Sequence, residues 1–143
     1  MELRFERIVP VAPERAFEAL TTARGLVHWF CDQAESDPAP QGRLCMIWNR
    51  PESRQHPYEA RWVAFEPAVR AAFRGGHPGY PHGDAGLIEF TLAPHPDGTT
   101  LLVRHAIPDG DEYIPVATTF AAAWPRALGR LAGHLTPNTW DPT

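Results

Sequence analysis

Residues 117–135 read Ala117-Thr118-Thr119-Phe120-Ala121-Ala122-Ala123-Trp124-Pro125-Arg126-Ala127-Leu128-Gly129-Arg130-Leu131-Ala132-Gly133-His134-Leu135. Ala117, Phe120, Ala121, Trp124, Leu128, Leu131, Ala132 and Leu135 recur every three or four positions over about five turns, the period of an amphipathic helix. Thr118, Arg126, Arg130 and Gly133 fall off that stripe. Pro125 removes one helical hydrogen bond, at a cost of about 3 kcal/mol. Because the stripe continues on both sides of it, the spacing predicts one long helix, kinked at Pro125.

Upstream the period changes to two. Leu44, Met46 and Trp48 alternate with polar neighbours, as do Tyr58, Ala60, Trp62 and Ala64; Val69, Ala71 and Phe73; Ile88, Phe90 and Leu92; and Leu101, Val103, His105 and Ile107. Turn residues separate these runs, Pro96-Asp97-Gly98 most clearly, so they predict a meandering antiparallel sheet. Residues 3–9 suit a first strand with one wet face. Ala12–Leu20 has Pro13 at a first helical position and Glu14 at the positive dipole end. Thr21 or Thr22 can cap a second short helix carrying Leu26, Trp29 and Phe30. Residues 33–41 read as a loop or weak edge strand, and 49–57 as an extended loop. The order describes a single α+β domain over residues 1–136, with a tail at 137–143. Its curved antiparallel sheet wraps a long C-terminal helix, with two short helices after the first strand. A curved sheet cannot pack flat along a straight helix, so an apolar cavity is expected between them.

Composition narrows the function classes. A chain of 143 residues with net charge −4 has no basic footprint for nucleic acid. No stretch approaches the roughly 18 apolar residues of a membrane span. The N-terminus lacks the apolar core of a signal peptide, which makes the cytoplasm the expected compartment. Cys31 and Cys45 are too few for a disulfide scaffold and are expected to be reduced. All 13 basic residues are arginine. Without lysine there is no Schiff-base chemistry and no P-loop lysine.

The stretch Val11-Ala12-Pro13-Glu14-Arg15-Ala16-Phe17-Glu18-Ala19-Leu20-Thr21, then Gly25-Leu26 and Trp29-Phe30, resembles the START/Bet v 1-like (SRPBCC) superfamily. The likeness is to the branch named for the activator of the Hsp90 ATPase. Gly42 before a strand, Pro67 after one, Gly98-Thr99 before Leu101, and Trp124 with Leu128, Leu131 and Leu135 extend it over nearly the whole chain. The resemblance implies a helix-grip fold and a pocket for a hydrophobic small molecule. It also implies, as a second possibility, a chaperone-associated interaction. The loops at 49–57 and 75–83 are longer than the family pattern; both can cover a pocket mouth, although surface turns are the plainer reading.

Candidate chemistry is sparse. His77 and His82 sit five apart in a Gly/Pro loop near Asp84, which does not present two metal ligands on one face, so no metal site is expected. Ser36 and Ser53, the only serines, lie in proline-flanked loops with no nucleophile elbow. Glu59 and Glu89 stand opposite the apolar positions of their strands and read as solvated charge. His105 shares a face with Leu101 and Val103; it is a satisfied core histidine on the plainer reading, or else the polar group of the pocket. The ligand-binding candidates are therefore Trp29, Phe30, Trp48, Trp62, Phe73, Phe90, His105, Phe120 and Trp124. Indole N–H groups, with Arg61 or Arg104, would orient a polar end. The sequence calls for no cofactor. Ligand binding leads; a chaperone-type partner, a homodimer through a sheet edge or the final helix, and a cyclase- or hydrolase-like use of His105 stand behind it.

Overall fold

The computed structural model describes residues 1–77, 80 and 86–136. Strand β1 (Glu2–Val9) leads into helices α1 (Pro13–Thr21) and α2 (Ala23–Leu26). Strands β2 (Gln33–Ser36) and β3 (Arg43–Ile47) follow, then a short helix α3 (Pro51–Gln55). Strands β4 (Tyr58–Glu66), β5 (Arg70–Gly76), β6 (Gly86–His95) and β7 (Gly98–Ala106) complete the sheet, and α4 (Ile114–Leu135) ends the described chain. All neighbouring strands are antiparallel, in the order β1-β7-β6-β5-β4-β3-β2. The sheet curls but does not close; β1 and β2 are its edges. This is the expected α+β helix grip.

Local chemistry explains the helical pair. Pro13 opens α1, which buries Ala16, Phe17, Ala19 and Leu20. Thr22, not Thr21, caps α2: its hydroxyl accepts from the Gly25 amide at 3.0 Å. Thr21 instead donates back to the Phe17 carbonyl. A Cβ on Gly25 would lie 2.5 Å from the Ala19 Cα, so only glycine permits α1 and α2 to come this close. At the other tight point, a two-residue turn joins β6 to β7, with His95 paired to Gly98. Gly98 has φ +140°, and a Cβ there would strike the Val9 carbonyl at 2.1 Å.

Helix α4 runs unbroken through Pro125 and starts at Ile114, one turn before the expected Ala117. Pro125 and Ala121 are both exposed. The Ala121 carbonyl that loses its partner therefore faces water, which explains why the proline is tolerated. Ala121 was expected on the buried stripe; Ala127 takes that place instead. The stripe packs on the inner face of the sheet, where Phe5 meets Trp124 at 6.4 Å between ring centroids.

Three further departures have local causes. A bulge in β4 between Trp62 and Ala64 shifts the register by one, so Phe65 rather than Ala64 continues the inner face. Phe65 packs there against Phe17 and Trp62, while Val63 is pushed out to solvent. The segment expected as an open loop at 49–57 contains α3, started by Pro51 with Glu52 in its first turn. Glu89 is not a solvated charge. Its side chain is only 12% exposed on the outer face, 2.6 Å from Arg70 and 3.7 Å from Arg104.

A candidate ligand-binding cleft between α4 and the sheet end

A cleft of about 550 Å³ opens along one flank of α4. Thr119, Phe120, Ala123, Trp124, Ala127 and Arg130, spaced as one side of a helix, form that wall. Opposite stand Trp48 at the end of β3, Arg50, Glu52 and Ser53 around α3, Phe30 beyond α2, and His77 at the end of β5. The floor is aromatic. Phe30 stacks on Trp124 at 5.3 Å and meets Trp48 edge-on at 5.4 Å.

Four of the nine sequence candidates, Phe30, Trp48, Phe120 and Trp124, line this cleft. Trp29, Trp62, Phe73, Phe90 and His105 lie in the core beneath it. The members that sequence reasoning missed are Arg50, Glu52, Ser53, His77, Thr119, Ala123, Ala127 and Arg130. The signal for α3 is the Pro51-Glu52 helix start inside the extended segment 49–57, and Arg130 lies off the apolar stripe. That position off the stripe is what places it at the cleft rim.

The expected orienting groups are engaged elsewhere. Trp29 donates its indole N–H to the Ala19 carbonyl at 2.9 Å, and Trp48 to the Phe30 carbonyl at 2.7 Å. Trp62 donates to the Ser36 hydroxyl at 3.1 Å, and Trp124 to His105 Nδ1 at 3.0 Å. Arg104 sits on the outer face between Glu2 and Glu89, and Arg61 donates to the Gln41 carbonyl. Neither arginine reaches the cleft. Its charged groups are Arg50, Glu52 and Arg130, the last holding the Trp29 carbonyl at 3.0 Å through Nε.

His105 is fully buried. Because Nδ1 accepts from Trp124, the neutral ring carries its hydrogen on Nε2, which donates to the Tyr80 hydroxyl at 2.8 Å. Burial, and then the neighbouring His77, push its pKa down to about 3. His77 falls to about 4, through burial and then the Arg50 charge. Both rings are thus uncharged at neutral pH. Phe120 and Trp124, which face the cleft, cover His105 at ring distances of 4.5 and 6.1 Å. Burial first, then Asp32 and Cys45, pushes Cys31 up to about 12, and burial also raises Cys45, so neither thiol supplies a thiolate nucleophile. Among the described residues no three His, Cys, Asp or Glu side chains gather as a metal set. His82 and Asp84 lie outside the described residues. No helix among those described is long and apolar enough to cross a membrane.

The family model described as activator of Hsp90 ATPase homolog 1-like protein matches residues 10–136. The chain belongs to that family. No curated protein matches it. The Mesorhizobium loti protein MLL2253 superposes with a TM-score of 0.81 at 20% identity, over 96% of this chain and 100% of that one. The Aha1 dimer of Colwellia psychrerythraea gives 0.81 at 14% identity, over 98% and 99%. CalU16 from Micromonospora echinospora gives 0.70 at 19%, over 95% and 75%. At identities this low, these superpositions show a shared fold and nothing further.

Proposed function

We propose that this domain binds a hydrophobic or aromatic small molecule in the cleft between α4 and α3. The observation that carries the reading is the cleft itself: about 550 Å³, floored by Phe30, Trp48, Phe120 and Trp124. That volume suits a drug-sized guest, and an aromatic floor with polar groups beside it is the usual make-up of such a site. Thermal shift against lipids, sterols and aromatic metabolites tests it, since a ligand stabilises by RT ln(1 + [L]/Kd). The expected result is a rise in Tm that saturates with ligand. Ala123→Trp, which fills the half-buried flank of the cleft, abolishes that rise with the fold retained. A panel that leaves Tm unmoved, or an unchanged rise in the filled variant, overturns the reading.

A second reading, interaction with the Hsp90 chaperone, is favoured by membership of a family named for an Hsp90 ATPase activator. Addition of the domain to Hsp90 tests it, and an unaltered ATPase rate removes it. Self-association through a sheet edge or α4 is favoured by the dimeric Colwellia neighbour; sedimentation at two concentrations decides it. The cyclase- or hydrolase-like use of His105 finds less support. The ring faces inward beside Tyr80, but both nitrogens are occupied and it does not line the cleft.

A further inference from the structure

Three arginines stand in one row across the outer face of the sheet. Arg43 of β3 pairs directly with Arg61 of β4, and Arg61 pairs directly with Arg74 of β5. Directly opposed strand residues lie roughly 5 Å apart, and like charges in that arrangement repel. The row lines an open groove of about 360 Å³, with Gln41, Glu59 and Val63 beside it. This happens in a chain whose net charge is −4, so general excess of positive charge does not explain it.

The same face shows how arginines are otherwise accommodated. Arg70 meets Glu89 at 2.6 Å, Arg4 meets Glu2 at 2.5 Å, and Arg104 lies between Glu2 and Glu89 at 3.8 and 3.7 Å. Among the described residues, only Arg43 of the row has carboxylates, Glu59 at 3.3 Å and Glu35 at 3.9 Å. Arg61 gives one N–H to the Gln41 carbonyl at 3.1 Å. Among the described residues Arg74 has no ion pair. Two adjacent, exposed guanidinium groups are thus left facing one groove without an anion of their own.

The geometry points to an oxyanion site here: a phosphate-type group bridging Arg61 and Arg74, on the face opposite the cleft. Guanidinium forks match phosphate oxygens two by two, and a doubly charged oxyanion cancels the repulsion along the row. The same chemistry is offered by a free phosphate and by a phosphorylated side chain of a partner.

Inorganic phosphate, pyrophosphate and phosphoserine are titrated into the whole chain, each against chloride at matched ionic strength, with calorimetry and Tm as readouts. Binding above the chloride control is expected, and it falls at least tenfold in Arg74→Gln, a side chain with no hydrogen bond or ion pair to lose among the described residues. It disappears in the Arg61→Gln/Arg74→Gln pair. The charge-matched Arg24→Gln/Arg126→Gln pair, on α2 and α4 rather than on the strands of the row, stays within about twofold of wild type. Without anion, Arg74→Gln is expected to melt no lower than wild type, because it removes a repulsion. Phosphoserine binding more tightly than inorganic phosphate assigns the site to a phosphorylated partner; the reverse order assigns it to a free anion. Equal effects of phosphates and chloride, or unchanged phosphate binding in Arg74→Gln, overturn the proposal. Cleft-filling Ala123→Trp leaves phosphate binding intact, which separates this site from the proposed ligand cleft.

Discussion

Trp124 holds His105 in a single tautomer: its indole N–H, 3.0 Å from Nδ1, needs a bare nitrogen there. Both side chains are almost wholly buried, so no water replaces either partner. The pair joins the long helix to the C-terminal end of β7, and Tyr80 completes it from the other ring nitrogen.

Trp124→Phe keeps a ring in place and removes only the donor. His105 Nδ1 is then a buried acceptor without a partner, a loss of about 1–3 kcal/mol. Urea denaturation at constant m-value is expected to show it. A midpoint equal to that of wild type would dismiss the pair as a stabilising contact.

His105 and His77 both have pKa values lowered by burial, to about 3 and about 4. The unfolded chain protonates them near pH 6.5, so below that pH it binds more protons than the fold does. Stability from these rings is complete above about pH 6.5 and is lost as pH falls toward 4, by roughly 1.4 kcal/mol per pH unit for each ring. Urea melts at pH 7, 6 and 5 measure the slope. His105→Asn is expected to remove one ring's share of it, even though the variant starts less stable.

Gly25 and Gly129 are expected to respond oppositely to alanine. The Gly25 Cβ would overlap the backbone of Ala19 at 2.5 Å, which forces α1 and α2 apart and costs about 1–3 kcal/mol. At Gly129 a Cβ meets nothing within 4 Å, inside a helix where alanine is favoured by up to about 1 kcal/mol. Tm should fall for Gly25→Ala and rise for Gly129→Ala.

Pro125→Ala restores one helical hydrogen bond on the exposed side of α4. It is expected to stabilise by up to about 3 kcal/mol without altering ligand binding, because Pro125 does not line the cleft. Thermal melts with and without ligand check both halves of that statement.

The grip was legible because its signals are periodic. The stripe from Phe120 to Leu135 and the period-two runs each repeat often enough to survive local exceptions. Ala64 and Phe65 mark where this fails: a bulge shifts the period by one residue without leaving a composition signal, and the inner face changes hands. Glu89 was misread for a related reason. Alternation placed it correctly on the outer face, but its two arginines come from neighbouring strands, and pairing register is not written in any one strand. The cleft was legible only in its aromatic half. Arg50 and Ser53, His77, and Arg130 reach it from three segments, and only the folded chain brings them together.

Each tryptophan at the cleft is tethered by its own N–H, Trp48 to the Phe30 carbonyl and Trp124 to His105. An anchored indole surrenders no rotational freedom when a guest arrives. The aromatic part of the cleft is therefore set in shape beforehand, and selection of the proposed guest would fall to contour rather than to adjustment there. For the guest proposed here the consequence is discrimination by exclusion: a molecule of the wrong outline would have to break one of these two hydrogen bonds, whereas one that fits would disturb neither.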